Sequence, residues 1–140
     1  TVAQEIALLR AYAELMQLRF VDRVELRWEI DSAALNRKVP SLCLQLLLEN
    51  TFKHTVEKRS GLCTITIAVQ EREGNVMLSV EDDLGVLSTN STQPQGIGLD
   101  NLRQRLALMK DAQANLQIQN RPQGGVRTEI MITAIAQNDA

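Results

Sequence analysis

The sequence predicts an α/β fold, a two-layer α+β sandwich in which about five mixed, mainly antiparallel strands pack under three helices. Three observations carry this prediction. Segments with helical spacing of apolar residues alternate with short β-rich segments in the order α-β-α-β-β-α-β-β. Glycine-containing turns join the strands of the last two pairs. The chain has 140 residues, of which 44% are apolar, enough for one domain with a substantial core.

The first half of the chain holds two predicted helices and one strand. Residues 3–20 carry apolar side chains at three- and four-residue steps with no Gly or Pro, which predicts a helix. Residues 24–30 alternate apolar and polar side chains, as a half-buried strand does. After a connection over residues 31–39, Pro40 opens the central helix, because its fixed φ suits a first helical turn.

The second half predicts two strand pairs around a third helix. Residues 62–70 and 76–81 are β-rich and alternating, and residues 74–75 between them, Gly-Asn, give a tight-hairpin signal. Two final strands cover residues 114–120 and 126–136. The third helix lies between the pairs and places on one face Leu99, Leu102, Leu106 and Met109.

The central helix has one apolar and one polar side. Its predicted buried stripe is Leu44, Leu47, Leu48, Phe52 and Val56. Its polar side holds Gln45, Glu49, Asn50, Lys53 and His54. Leu42 and Leu46 lie among these polar residues, which is unusual for a solvated face. Two interpretations stay open: one wall of a pocket, or a surface helix with a Glu49–Lys53 ion pair at i,i+4 spacing.

Composition excludes several classes of function. The net charge of −2 and the shortage of aromatic residues give no basis for nucleic-acid binding. Cys43 and Cys63 stand far apart in apolar runs, so we expect buried free thiols rather than a disulfide or a metal site. No apolar run approaches the ~20 residues that span a bilayer, so we expect no membrane contact by this chain. The chain starts inside a helical pattern, which predicts a piece of a longer protein.

Three further segments can carry chemistry, and each also has a simpler explanation. Asp82 and Asp83 end a strand, where acidic residues often only form turns. Gly-Ile-Gly-Leu at residues 96–99 leads into a helix, where backbone N–H groups can approach a phosphate, although loops use glycine freely. Gly124-Gly125 precedes the last strand, as in any hairpin.

Taken in order, these segments resemble the Bergerat-type ATP-binding fold of the GHKL superfamily of histidine kinases, gyrases, chaperones and mismatch-repair ATPases. The closer resemblance is to sensor histidine kinases of the LytS/YehU type, and it covers nearly the whole chain. The motifs that carry it are Ala11-Tyr12 with Leu18-Arg19-Phe20, Val39-Pro40-Ser41-Leu42, Leu46-Leu47-Leu48-Glu49-Asn50-Thr51-Phe52-Lys53-His54, and Gly96-Ile97-Gly98-Leu99-Asp100-Asn101-Leu102-Arg103-Gln104-Arg105-Leu106.

The resemblance implies ATP and Mg²⁺ as ligands. On the central helix it implies that Asn50 ligates Mg²⁺ and that Glu49 positions or activates groups near the γ-phosphate. It also implies that Lys53 and His54 face the phosphates. A single Asn oxygen is compatible with Mg²⁺, which keeps several waters and phosphate oxygens as ligands.

For the base, the resemblance implies that Asp82 accepts a hydrogen bond from the adenine amino group, with support from Thr128. The other implied nucleotide-binding residues are Gly85, Gly96, Ile97, Gly98 and Leu99, under a lid at residues 87–95. The Asp-Asn-Gly-x-Gly box of the family appears here as Asp82-Asp83-Leu84-Gly85-Val86. A one-residue shift would assign the adenine contact to Asp83, and the strand register favours Asp82.

The implied function is the ATP-binding catalytic domain of a two-component sensor histidine kinase, which donates the γ-phosphoryl group to a histidine outside this chain. Residues 1–20 would be a linker helix from an upstream dimerisation and phosphoacceptor region, and residues 21–140 the catalytic domain. The expected partners are that region, within a homodimer, and a response regulator. The expected location is the cytoplasm, as the cytosolic part of an inner-membrane sensor.

Two other functions stay open at this stage. One is a different use of the same fold, as an ATPase or an anti-sigma serine kinase. The other is a degenerate nucleotide-binding domain kept for protein contacts, which the altered box after Asp82 favours. Because the one histidine, His54, lies in the predicted ATP site, we expect the isolated chain to be inactive in autophosphorylation.

Overall fold

The computed structural model describes residues 1–57, 60–85, 97–109 and 112–134. The helices are α1 (Val2–Arg19), α2 (Cys43–Thr51) and α3 (Ile97–Ala107), and α2 continues into a π-helical turn, Phe52–Val56. The strands are β1 (Val24–Ile30), β2 (Cys63–Arg72), β3 (Asn75–Asp82), β4 (Ala112–Asn120) and β5 (Val126–Ala134). A short 3₁₀ turn, Ser32–Ala34, lies in the connection after β1. The predicted fold class is confirmed.

The five strands form one sheet in the order β1-β2-β3-β5-β4. The edge strand β1 pairs with β2 in parallel, and every other pair is antiparallel. Alternate side chains of the central strands point into the core, where they meet the apolar faces of the helices. The core side chains of β2 and β3 are Cys63, Ile65, Ile67, Val69, Val76, Leu78 and Val80.

The amphipathic pattern of α2 is confirmed. All five residues of its predicted apolar stripe are at most 1% exposed. Cys43 and Cys63 are buried and free, also as predicted. Burial raises the pKa of both thiols to about 12, helped by the carboxylates of Glu5 near Cys43 and of Asp82 near Cys63.

The predicted start of α2 is wrong by three residues. The helix begins at Cys43 and not at Pro40, whose carbonyl only accepts a 3.3 Å turn bond from the Cys43 N–H. Leu42 intervenes with a φ of +64°, in the left-handed region, which no helical turn can include. The chain therefore turns sharply just before α2.

The predicted centre of the β2–β3 hairpin is also wrong, by one residue. Glu73 and Gly74 occupy the turn, with φ values of +52° and +83°, while Asn75 pairs with Arg72 inside the ladder. Two successive positive φ values match the twist of an antiparallel hairpin, and glycine takes the second of them without strain.

Helix α1 packs along α2 through an aromatic cluster. The Tyr12 ring meets the Phe52 ring edge-on with centroids 6.3 Å apart, and the Phe20 ring stacks on Phe52 at 5.8 Å. The division between residues 1–20 and 21–140 stays a prediction. Among the described helices, none is both long enough and apolar enough to span a membrane.

Candidate functional site

A buried carboxylate ends the central strand β3. Asp82 is 1% exposed, and its Oδ1 accepts hydrogen bonds from the backbone N–H groups of Leu84 at 3.0 Å and Gly85 at 2.5 Å. Both donors belong to the bend that follows the strand, so the bend itself fixes the orientation of the carboxylate. A buried carboxylate needs such partners because desolvation penalises the charged form.

The second oxygen of this carboxylate is held by α2's extension. The hydroxyl of Thr55 donates to Oδ2 of Asp82 at 3.2 Å, and Thr55 is 3% exposed. Thr55 lies in the π-helical turn Phe52–Val56, a kind of turn that often occurs at functional sites. Thr55 carries no distinctive sequence signal, because a threonine next to an apolar stripe is an ordinary helix residue.

Two glycines leave room for Asp82, one beside its carboxylate and one beside its backbone carbonyl. A Cβ on Gly85 would lie 2.5 Å from Thr55 Oγ1 and 2.9 Å from Asp82 Oδ1. A Cβ on Gly125 would collide with the backbone carbonyl of Asp82, and Gly125 also has a φ of +91°. Glycine at position 125 is therefore required by the strand end as well as by the hairpin turn that the sequence indicates.

The two adjacent aspartates have different surroundings. Asp83 is exposed, and its Oδ1 accepts a 2.9 Å hydrogen bond from the backbone N–H of Thr64 on β2. Leu84, which follows, packs against the core. Of these two carboxylates, that of Asp82 therefore lies inside the protein, at the end of the sheet where α2 and β3 meet.

Strand β5 brings a second buried polar side chain to this end of the sheet. Thr128 is 1% exposed and pairs with Val80 of β3, two residues before Asp82. Arg121, in the β4–β5 turn, donates from Nη1 to the Asp82 carbonyl at 2.8 Å. The Nε of Arg121 lies 3.6 Å from the Glu81 carboxylate, which orients the guanidinium. Arg121 carries no signal of this role in the sequence.

The polar side of α2 is only partly accessible. Glu49 and Asn50 are half-buried, and Gln45 Nε2 donates to Glu49 Oε1 at 3.1 Å. Within the described residues, the Asn50 side chain makes no hydrogen bond, so its carbonyl oxygen is available as a ligand atom. Lys53 is exposed and His54 is half-buried.

The ring of Tyr12 lies near this polar side. The pKa of the Tyr12 hydroxyl is raised to about 12, first by burial and then by the negative charges of Glu49 and Glu57, which outweigh the opposite effect of the Arg19 guanidinium. Helix α1 therefore contributes to the surroundings of Glu49.

Helix α3 begins with the predicted glycine motif. Ile97 and Gly98 form its first residues, and Leu99 is 2% exposed within the core. Arg105 of the same motif donates from Nη2 to the Ser41 carbonyl at 2.6 Å, which ties α3 to the turn before α2. Gly96 and the predicted lid at residues 87–95 lie outside the described residues.

Two of these residues, Asp82 and Asn50, offer oxygen atoms that could bind a ligand. Within residues 1–57, 60–85, 97–109 and 112–134, no group of three His, Cys, Asp or Glu side chains could hold a metal ion. Among the described residues, Oδ2 of Asp82 accepts a hydrogen bond only from Thr55, so it keeps acceptor capacity for the amino group of a base. For Mg²⁺, the half-buried Asn50 offers one oxygen, which is sufficient where phosphates and waters supply the others.

Comparison with solved structures identifies the fold. The catalytic domain of the histidine kinase ThkA matches with a TM-score of 0.70 at 16% identity, over 94% of this chain and 92% of that chain. The histidine kinase domain of the blue-light-activated kinase from Erythrobacter litoralis matches with a TM-score of 0.65 at 18% identity, over 91% of this chain and 60% of that chain. The fold is that of histidine kinase catalytic domains.

Sequence comparison narrows the kind of histidine kinase that the chain resembles. The chain is 30% identical to the sensor histidine kinase YesM of Bacillus subtilis over 99% of its own length, and 28% identical to the sensor protein LytS of Enterococcus faecalis over 94%. It spans about a quarter (24%) of the length of these relatives. No protein-family model matches the chain. The resemblance to the catalytic domains of sensor histidine kinases of the LytS type is confirmed.

Proposed function

We propose that the chain is the Mg-ATP-binding catalytic domain of a two-component sensor histidine kinase and supplies the γ-phosphoryl group to a histidine outside it. The observation that carries this proposal is the Asp82 carboxylate, buried at the end of β3 and oriented by two backbone N–H groups and Thr55. The similarity to YesM and LytS supports it.

Asp82 would select the base. An ionised carboxylate only accepts hydrogen bonds, and at the edge where adenine has an amino group guanine has a carbonyl oxygen. Thr128 is buried and pairs with Val80, two residues before Asp82 at the end of β3. Its hydroxyl would support the base. Gly85 keeps the space beside the carboxylate clear of a Cβ. This arrangement favours ATP over GTP.

The polar side of α2 would take the phosphates. Asn50 would hold Mg²⁺, which neutralises phosphate charge when bound. Glu49 would orient or activate the groups near the γ-phosphorus, while Lys53 and His54 would contact phosphate oxygens. The α3 start with Ile97, Gly98 and Leu99, together with Gly96, would offer backbone N–H groups to the anion. Such positioning and charge neutralisation are what phosphoryl transfer mainly requires.

The acceptor histidine would come from an upstream region of the same protein, within a homodimer, and a response regulator would receive the phosphoryl group. A histidine kinase with the same fold, ThkA, has been solved in complex with the response regulator TrrA, with a TM-score of 0.68 at 16% identity, over 96% of this chain and 41% of that chain. The chain would act as the cytosolic part of a membrane-bound sensor.

Nucleotide titration tests the proposal. Calorimetry with ATP and GTP, each with Mg²⁺ and with EDTA, should give the tightest binding for ATP with Mg²⁺. Equal affinities for ATP and GTP, or no binding of either, would contradict the proposal and favour a degenerate domain that serves protein contacts.

A further inference from the structure

Helix α1 carries a buried carboxylate with no role in the proposed chemistry. Glu5 is 6% exposed, and its Oε1 accepts a 2.5 Å hydrogen bond from the backbone N–H of Leu42. Burying a glutamate is costly unless its charge is well hydrogen-bonded. The contact bridges 37 residues of sequence and joins α1 to the start of α2.

The start of α2 lacks a cap of its own. The residue at its N-terminal boundary is Leu42, whose side chain cannot accept a hydrogen bond, and no side-chain cap is present. Leu42 also has left-handed backbone angles, φ +64° and ψ 13°, which cost energy in a leucine. The Glu5 carboxylate lies at this end of the helix, where its charge is favourable to the α2 dipole.

Two further hydrogen bonds hold the segment before α2. Arg105 of α3 donates to the Ser41 carbonyl at 2.6 Å. The N–H of Val2, in the first turn of α1, donates to the Arg37 carbonyl at 2.9 Å. The turn before α2 is therefore fixed by α1 and α3 together, and its strained conformation persists because the surrounding contacts determine it.

We propose that Glu5 is a positioning residue that fixes the start of α2 from α1 and thereby sets the placement of Glu49 and Asn50. Leu42 and Asn50 are eight residues apart on a rigid helix, about 12 Å along its axis. A displacement of Leu42 therefore also displaces Asn50, because a helix moves as a unit. The consequence for nucleotide binding rests on the proposed function; the placement of α2 does not.

A second contact on the same helix pair makes α1 a two-point support. Tyr12, two turns after Glu5 on α1, packs edge-on against Phe52 at the far end of α2. The segment of α2 that carries Glu49 and Asn50 lies between these contacts. Movement of α1 relative to the sheet would thus displace Glu49 and Asn50, which form the proposed metal-binding side of the site.

Amide spectra of the nucleotide-free chain test the placement of α2 directly. The variants are Glu5→Gln, which keeps an acceptor oxygen but removes the charge, and Glu5→Ala, with Glu14→Gln at an exposed position of α1 as the matched control. We expect shifts of the Leu42 amide signal and of the Asn50 backbone and side-chain signals, larger for Ala than for Gln and absent in the control. A change confined to residues around Leu42 would overturn the proposal.

Calorimetry on the same variants tests the consequence. Glu5→Ala should weaken Mg-ATP binding by about three- to tenfold, and Glu5→Gln should weaken it by less. Both variants should have a far smaller effect on ATP binding in EDTA. Equal losses with and without Mg²⁺, together with an unmoved Asn50 signal, would assign Glu5 a purely structural role and overturn the proposal. If the unmodified chain binds no nucleotide, the proposed function fails, and the Asn50 signals alone decide the role of Glu5.

Discussion

The hydroxyl of Thr55 and the carboxylate of Asp82 form a 3.2 Å hydrogen bond that joins the end of the central helix to the end of the central strand. Both side chains are nearly inaccessible, at 3% and 1% exposure. In the proposed site, the helix carries the metal-binding side and the strand carries the base-binding side. This bond therefore couples the two halves of the nucleotide site.

Replacement of Asp82 should reverse the chemistry of base recognition. In Asp82→Asn, the amide oxygen can still accept from the N–H groups of Leu84 and Gly85, which leaves the amide NH₂ facing the base. We expect ATP affinity to fall by about 10- to 100-fold, because a donor would then meet the adenine amino group. The affinity for GTP should fall much less, since the guanine carbonyl oxygen can accept a hydrogen bond from the new NH₂ group. Calorimetric titration with both nucleotides measures this.

The matched control is Asp83→Asn, which changes the neighbouring exposed carboxylate. Its affinity for ATP should stay near that of the unmodified chain. A larger loss in Asp83→Asn than in Asp82→Asn would show that the base contact belongs to Asp83 and that the strand register was misassigned.

Asn50→Ala should remove the metal dependence of ATP binding. The Asn50 side chain is half-buried and makes no hydrogen bond within the described residues. Its loss should therefore leave the thermal unfolding temperature within a few degrees of that of the unmodified chain. Titration with ATP in Mg²⁺ and in EDTA should then give similar affinities. The control is Asn115→Ala at an exposed position of β4, which should keep the full Mg²⁺ effect. An unchanged Mg²⁺ effect in Asn50→Ala would contradict the assignment.

Two glycines with positive φ allow steric and conformational costs to be separated. Gly74, with φ +83°, has open space around it, whereas a Cβ at Gly125, with φ +91°, would strike the Asp82 carbonyl. Gly74→Ala should lower the free energy of unfolding by roughly 1–2 kcal/mol through backbone strain alone. Gly125→Ala should cost more than about 3 kcal/mol, because the strand end must move as well. Urea unfolding of both variants measures these losses. Equal losses in the two variants would contradict the prediction and show that the strand end relaxes around the added Cβ at position 125 at no cost.

The fold and the core were predictable from the sequence because they depend on local periodicity. The stripe from Leu44 to Val56 follows helical spacing, and β1 follows strict alternation, so both appeared as expected. The start of α2 was misplaced because Pro40 gives a local signal, while the strained turn at Leu42 is held by Glu5, 37 residues away. A local pattern contains no information about such a contact.

The candidate site was predictable to a smaller extent. The family motifs indicated Asn50, Asp82 and Thr128, and their roles stay predictions. Thr55 and Arg121 were missed because their contacts with Asp82 span 27 and 39 residues of sequence and leave no local pattern. Gly125 carried a signal, but the hairpin explained it without reference to the strand end.

The cysteines give a prediction about pH. Their pKa is raised from 9.0 to about 12 in the folded chain, chiefly by burial. Between pH 9 and 12 the unfolded thiols lose protons that the folded ones keep, so this contribution to stability is complete below pH 9 and is lost as the pH rises through that range. Urea unfolding of the unmodified chain from pH 8 to 11 should show the fall, and the double variant Cys43→Ala, Cys63→Ala should show less of it. An equally steep fall in both proteins would contradict the assignment to the thiols.

The isolated chain should not autophosphorylate, even when saturated with Mg-ATP. His54, its one histidine, lies four residues after Asn50, in the π-helical turn that extends α2. From there an imidazole can contact a bound phosphate, but in-line attack on the γ-phosphorus must come from the side opposite the leaving oxygen. Incubation with labelled ATP should leave the chain unlabelled, whereas addition of a polypeptide carrying the upstream histidine region should yield label on that partner. His54→Ala should lower this transfer, and Asp82→Asn should lower it at limiting ATP because it weakens ATP binding. An acid-labile, base-stable label mapped to His54 would show that the histidine is the acceptor and not a phosphate contact.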